Sequence, residues 1–152
     1  MSSKRSFLTE IHALMGSLLE KHGLSLLEEK EEPEHFGNAF AKFGSPSILL
    51  RIAKDRGDIL VNIAKNGSET ERWHKLEDVL KICAPGMEKR KLAEVSTIRS
   101  ALSKHLEAIE DRFSKFQIGS TEESLEAIEK EESEAVVARI FGKKRPIRGK
   151  VG

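Results

Sequence analysis

Residues 48–64 decide the fold, and they read ILLRIAKDRGDILVNIA. Two runs rich in β-branched residues, 48–53 and 59–64, flank a short loop that contains Gly57. This pattern predicts a β-hairpin, because a short glycine-containing connection lets two such runs pair antiparallel. Alternate residues in each run are apolar, which predicts that one face of the hairpin is buried. The residues between them are partly apolar as well, so we expect partial cover on the second face.

An amphipathic helix is predicted before this hairpin, over residues 6–22. Ser6 is placed to cap its start, and Gly23 stands where a left-handed residue ends many helices. The apolar stripe of this helix consists of Phe7, Ile11, Leu14, Leu18 and Leu19. Residues 24–34 predict a short strand followed by an exposed acidic loop. Residues 36–43 belong to the β region that contains the hairpin.

The second half of the chain is predicted to be helical. A short helix comes first, and its apolar stripe consists of Leu76, Val79, Leu80 and Cys83. A long helix over 92–116 follows, because seven of its eight seam positions, at alternating three- and four-residue spacing, are apolar. Gly119 is expected to end it. A capping box of Ser120 with Glu123 then starts a further helix that runs to about Phe141.

Together these elements predict an α+β fold, because the strands are grouped rather than alternating with helices. We expect an N-terminal helix, a small antiparallel sheet of three to four strands with a short helix, and a C-terminal two-helix hairpin. The predicted organisation is an α+β domain over 1–86, a helical hairpin over 87–141 that packs on it or extends from it, and a flexible basic tail over 142–152.

Composition excludes several classes of protein. The chain has 152 residues, 38 % of them hydrophobic, with a formal net charge of +1, which excludes wholesale disorder. The single cysteine, Cys83, excludes an internal disulfide framework and favours a reducing compartment. No apolar run is long enough for a transmembrane span. Glu10 and His12 interrupt any signal-peptide core, so a cytoplasmic protein without a membrane partner is expected.

No catalytic residue, metal site or cofactor is predicted. No two of the five histidines have the i, i+4 spacing of a helical zinc site. The chain has no nucleophile elbow and no glycine-rich phosphate loop. Cys83 lies on the apolar stripe of a short helix, where packing is its expected role. The sequence therefore favours a protein that is not an enzyme.

A partner-binding patch is predicted near the hairpin loop. Arg51, Asp55 and Arg56 flank this loop, and Trp73 and His74 open the following helix. Arginine and tryptophan are enriched among the residues that dominate protein interfaces. In the alternative interpretation, Trp73 fills the corner between sheet and helix while Asp55 and Arg56 only shape the turn.

Charge is distributed unevenly along the chain. Residues 117–136 hold seven acidic side chains and one lysine, a net charge of −6, and residues 139–152 hold six basic side chains and no acid. The acidic helix is predicted to bind a basic partner, with Glu126 and Glu129 as candidates. The tail is either a solvated end or a nucleic-acid contact. Its candidate residues are Lys143, Lys144, Arg145, Arg148 and Lys150.

Residues 36–80 resemble small uncharacterised bacterial α+β proteins of the polymorphic-toxin immunity type. The resemblance rests on FGNA at 36–39, LRIAKDRGDILV at 50–61, and Trp73 before LEDVL at 76–80. It implies a non-catalytic protein that binds another protein. We therefore expect an immunity protein or an accessory subunit of a bacterial complex with a co-encoded partner. A nucleic-acid-associated accessory protein that uses the basic tail is the alternative. Both a monomer and a dimer remain open.

Overall fold

Five strands and four helices make up the part of the chain that the computed structural model describes, residues 6–32, 34, 38–67, 71–84 and 94–141. They are, in order, α1 (Phe7–Lys21), β1 (Ser25–Glu32), β2 (Asn38–Gly44), β3 (Ile48–Asp55), β4 (Asp58–Lys65), β5 (His74–Lys75), α2 (Leu76–Cys83), α3 (Val95–Arg112) and α4 (Ile118–Phe141). The strands pair antiparallel in sequence order, so the sheet is a meander. The predicted α+β class, with an N-terminal helix, an antiparallel sheet and C-terminal helices, is confirmed.

The β3–β4 hairpin forms where the sequence predicts it. All eight residues of β3 pair with β4. Arg56 and Gly57 make the turn, with φ values of +52° and +90°. Positive φ at both turn positions is typical of the type I′ turn, whose twist matches that of the paired strands. The Arg56 backbone N–H donates to the side-chain oxygen of Asn38 at 2.9 Å, which ties the turn to β2.

The sheet has five strands, whereas three to four were predicted. β1 is a full eight-residue strand at the edge, and seven of its residues are exposed. Its acidic residues give no apolar–polar alternation, which is the pattern that predicts a strand. Charged residues on an edge strand disfavour pairing with another chain. β5 has only two residues, His74 and Lys75, at the point where a helix was predicted to begin. A strand this short leaves no periodic signal.

The helices pack on one face of the sheet. Ile48, Leu50 and Ile52 of β3 are fully buried there, in one core with Ile11 and Met15 of α1. Cross-strand partners lie on the same face of a sheet, so the register identifies the residues of the opposite face. This opposite face, called the open face below, comprises Ser25, Glu28, Lys30, Glu32, Asn38, Phe40, Lys42, Gly44, Leu49, Arg51, Ala53, Asp55, Asp58, Leu60, Asn62, Ala64 and Lys75.

The N-terminal helix agrees with its prediction to within one residue at each end. The Ser6 side-chain oxygen accepts a hydrogen bond from the Thr9 backbone N–H at 3.1 Å, so it caps the helix. Gly23 has a φ of +75°, a conformation that glycine adopts without strain. Leu24 follows as a buried residue, and β1 begins directly after it.

The break between the last two helices lies earlier than predicted. α3 ends at Arg112, and Phe116 is 91 % exposed although the predicted seam placed it in the core. Phe116 lies in the turn between α3 and α4, so the helical spacing that predicts its burial does not apply there. Gly119 and Ser120 lie inside α4, so the predicted break and capping box are wrong.

The predicted two-helix hairpin is also corrected in its packing. A short turn does join α3 to α4, and the Thr121 hydroxyl donates to the Arg112 carbonyl oxygen at 2.5 Å beside it. Beyond that point α3 packs against α1 and α2, and α4 packs against α2, rather than along each other. Of α4, only Thr121 and Leu125 are buried. None of the helices described combines the length and apolarity needed to cross a membrane.

Candidate functional site

The structure separates the seven predicted partner-binding residues into two groups. Arg51 and Asp55 line the open face, Arg56 lies in the adjoining turn, and Trp73 is half-buried beside an open-face lysine. The second group lies where α4 meets β5 and α2, and it comprises His74, Glu126 and Glu129. The five basic candidates of the tail lie outside the described residues.

His74 is the centre of the second group. Its side chain is only 2 % exposed, and both ring nitrogens face carboxylates of α4. Nδ1 lies 2.5 Å from Glu129 Oε2, and Nε2 lies 3.1 Å from Glu122 Oε1. Carboxylates only accept, so both contacts are hydrogen bonds when the ring carries both protons. The register of β5 points His74 towards the helices, because it pairs with the core residue Ile63.

Three further cations extend this group along α4. Arg72 contacts Glu122 at 3.4 Å and forms a hydrogen bond to Glu126. Lys75 and Lys81 both reach Glu132, at 3.5 and 2.9 Å. Helical spacing places Glu122, Glu126, Glu129 and Glu132 on one side of α4. We call these four acids, with Arg72, His74, Lys75 and Lys81, the α4 clamp.

Asp78 lies under the α4 clamp without a hydrogen bond. It is 1 % exposed, and neither side-chain oxygen has a hydrogen-bond partner among the described residues, although the Lys81 amine lies 3.8 Å from Oδ1. Burial, followed by the nearby Glu132 carboxylate, raises the pKa of Asp78 to about 6, although Lys75 and Lys81 oppose this shift. The pKa of Glu132 is lowered to about 2, first by its interaction with the neighbouring Asp78 and also by Lys81. Asp78 therefore tends to carry the proton of this pair.

The α4 clamp shows that part of the acidic helix is engaged within the chain. Glu126 and Glu129 were predicted to face a basic partner, and in the structure they bind Arg72 and His74 of the same chain. Their use by a partner stays a prediction, but such a partner must compete with these internal contacts. The spacing of Glu122, Glu126 and Glu129 indicates that they share one side of a helix, but nothing local in the sequence assigns that side to the basic residues around 72.

The open face carries a depression of about 340 Å³. The residues that line it include the apolar Phe40, Ala53 and Leu60 together with Arg51. The Arg51 guanidinium carbon Cζ lies 4.7 Å from the centroid of the Phe40 ring, a stacked cation–π contact. Leu60 is 47 % exposed. The sequence predicted Arg51 and Asp55 but missed the roles of Phe40 and Leu60.

Trp73 lies at the far side of the open face. The Nζ atom of Lys42 is 5.8 Å from the centroid of the Trp73 ring, and the same amine lies 3.5 Å from Glu71. Leu49 and Ala64, on this face, are buried. The second face of the hairpin is thus partly covered, as expected from its apolar residues.

A second exposed apolar region lies at the end of α4. Four large side chains there are 45 to 61 % exposed, namely Val136, Val137, Ile140 and Phe141. They occupy neighbouring positions on the helix surface. This end of α4 projects from the core, because every residue from Ser133 to Phe141 is exposed.

Two further features concern the lone cysteine and metal binding. Burial raises the pKa of the Cys83 thiol, which disfavours the nucleophilic thiolate. Within the described ranges, no three His, Cys, Asp or Glu side chains are grouped to hold a metal ion. No family model, curated protein or solved structure matches this chain. The resemblance of residues 36–80 to immunity-type proteins stays a prediction.

Proposed function

We propose that the protein is a non-enzymatic interaction module that binds another protein through the open face of its sheet. The observation that carries this proposal is the depression around Arg51, with Phe40 and the half-exposed Leu60 beside it. Exposed apolar side chains ringed by polar ones are typical of protein interfaces. The resemblance of residues 36–80 supports an immunity protein or an accessory subunit of a bacterial complex.

The charge of the open face favours a protein partner over a nucleic acid. Its strands present four cations against four acids, which are Lys30, Lys42, Arg51 and Lys75 against Glu28, Glu32, Asp55 and Asp58. A nucleic acid brings a phosphate charge with every nucleotide and would meet all four acids. A protein surface of mixed charge suits this pattern, because complementary charges fix the register of an interface.

The test is isolation of a stoichiometric complex from the cells that carry this gene. A tagged chain is purified at about 0.15 M salt, an ionic strength that screens weak surface contacts. We expect a co-encoded protein to elute with it, and Leu60→Glu to weaken the complex at least tenfold. Leu14→Glu is the matched control, because Leu14 is a 36 % exposed leucine on α1, away from the open face.

Two results contradict this proposal. One is a chain that elutes alone at this salt concentration when the neighbouring genes are co-expressed. The other is a complex that Leu60→Glu and Leu14→Glu weaken equally, with both variants folded by circular dichroism. A complex that only Leu60→Glu disrupts supports binding at the open face. The proposal includes a cytoplasmic location, which the single cysteine supports.

The alternative is a nucleic-acid-associated accessory protein. It rests on the sequence alone, since residues 139–152 carry six basic side chains and no acid. Such a run contacts phosphates regardless of their sequence. Deletion of residues 142–152 tests this alternative without altering the open face.

A further inference from the structure

Arg51 is a cation that has no acidic partner among the described residues. Its strand neighbours across the open face are Lys42 on β2 and Asn62 on β4. Among the described residues, no carboxylate lies within 4.0 Å of its guanidinium nitrogens. The stack on Phe40 restricts the guanidinium plane, so its N–H fork is oriented before any ligand arrives. A cation held in this way is available for an external anion.

The depression around Arg51 has room for part of a larger molecule. At about 30 Å³ per water molecule, its volume of about 340 Å³ corresponds to about ten waters. Phe40, Ala53 and Leu60 supply apolar surface, and Lys30 is a cation beside Phe40 on the same face. Such a site accommodates an acidic side chain together with an apolar neighbour.

We propose that this depression receives an acidic side chain of a partner protein, an aspartate or glutamate, with Arg51 binding its carboxylate and Leu60 contacting the apolar residue next to it. This inference rests on the proposed function and names the chemistry that the open face recognises. The planar guanidinium matches a carboxylate with two parallel hydrogen bonds. Phe40 acts as the positioning residue, because its ring orients the guanidinium.

A single carboxylate fits this site better than a phosphate chain. Glu32 and Asp55 also line the depression, so its charge is mixed rather than uniformly positive. Glu32 is bound by Lys30 at 3.1 Å and does not reach Arg51. One incoming carboxylate therefore meets a free guanidinium at the centre, whereas a polyanion meets both acids at the edge.

A library of short random peptides, displayed on phage and selected on the purified full chain, tests this inference directly. We expect the enriched peptides to carry Asp or Glu beside an apolar residue. Their affinity should fall at least tenfold in Arg51→Met and also fall in Phe40→Leu. Arg56→Met is the matched control, because Arg56 lies in the turn after β3 and does not line the depression. Unfolding midpoints confirm that each variant is folded.

An NMR titration with an enriched peptide distinguishes direct binding by Arg51 from a purely structural role of this residue. The Arg51 side-chain Nε–H signal should shift on addition of the peptide, while that of Arg56 should stay in place. The inference is overturned if the wild-type chain enriches no peptide that the Arg51→Met variant does not also enrich. It is overturned as well if the peptides enriched on the wild-type chain lack acidic residues. It is also overturned if Arg51→Met binds them as tightly as the wild-type chain.

These results separate the inference from the proposed function. A cellular partner that binds Arg51→Met and the wild-type chain equally well overturns the carboxylate site and leaves the interaction module standing. Acidic peptides that bind at Arg51, in a chain that has no cellular protein partner, overturn the proposed function and leave the site standing.

Discussion

Replacing Asp78 by asparagine should stabilise the protein at pH 8. Asp78 is 1 % exposed and lacks a hydrogen-bond partner among the described residues, so its ionised form is poorly solvated. Asparagine has the same shape without the charge, and its amide can donate to Glu132 as a protonated carboxyl does. The variant therefore removes the free energy of ionising a buried acid and keeps the packing.

The magnitude follows from the shift in the pKa of Asp78. Folding raises this pKa from 3.8 to about 6. At about 1.4 kcal/mol per unit, ionisation lowers the free energy of unfolding by at most about 3 kcal/mol. The buried asparagine amide has polar groups of its own to satisfy, which reduces this to about 1.5 kcal/mol. Asp78 also lies in the first turn of α2, where the helix dipole favours its charge by about 0.5 kcal/mol. We expect a net gain of about 1 kcal/mol.

The sign of the pH dependence is set by the same shift. Because its pKa is higher in the folded state, Asp78 binds more proton there than in the unfolded chain between pH 3.8 and about 6. Its contribution to stability is therefore full below pH 3.8 and is lost as the pH rises through 6. The advantage of Asp78→Asn should be largest at pH 7 to 8 and should have mostly disappeared by about pH 4.

Urea denaturation at these pH values measures the effect. Asp111→Asn is the matched control, because Asp111 is an exposed aspartate on α3. It should change the free energy of unfolding by less than about 0.5 kcal/mol at each pH. Our reasoning about Asp78 is refuted if Asp78→Asn is less stable than the wild-type chain at pH 8, or if its effect does not vary with pH.

Three further predictions concern the α4 clamp, the core and the tail. His74→Ala should lower the free energy of unfolding by about 2 to 3 kcal/mol in urea denaturation at pH 7, because it leaves Glu122 and Glu129 without their shared partner. Phe113→Ala should lower it by about 3 to 5 kcal/mol in the same assay, because Phe113 is fully buried. Deletion of residues 142–152 should weaken any nucleic-acid binding and flatten its dependence on salt in a filter-binding or anisotropy titration, and an unchanged slope eliminates that alternative.

The elements that the sequence predicts well are those with local signals. The β3–β4 hairpin has two apolar runs and Gly57 in its turn, and α1 has both Ser6 and Gly23 at its ends. β1 was predicted only as a short strand that fades into a loop, because an exposed edge strand of charged residues shows no alternation of buried positions. β5 forms only because β4 offers an edge beside it, which is a tertiary cause.

The candidate site was predictable only in part. Arg51 and Asp55 stood out because they flank the hairpin loop, and the register does place both on the open face. Phe40 could not be assigned to that face before the register of β2 was known, because it follows a region without a clear strand start. His74 was grouped with Arg51, yet alternation along β5 turns it towards α4.

The segment before α2 connects the open face to the α4 clamp. Its residues alternate in direction, as extended chains do. Glu71 and Trp73 contact Lys42 on the open face, whereas Arg72 and His74 contact α4.

This segment is held both by pairing with β4 and by the acidic side chains of α4. β5 is joined to the sheet by only two residue pairs, so the acids of α4 contribute much of what holds it at the edge of β4. Four of the seven acids between residues 117 and 136 are used for this purpose, which leaves the acidic helix much less charge for a basic partner. The internal contacts of the acidic helix thus help to shape the open face, where Arg51 is the cation that still lacks a described partner.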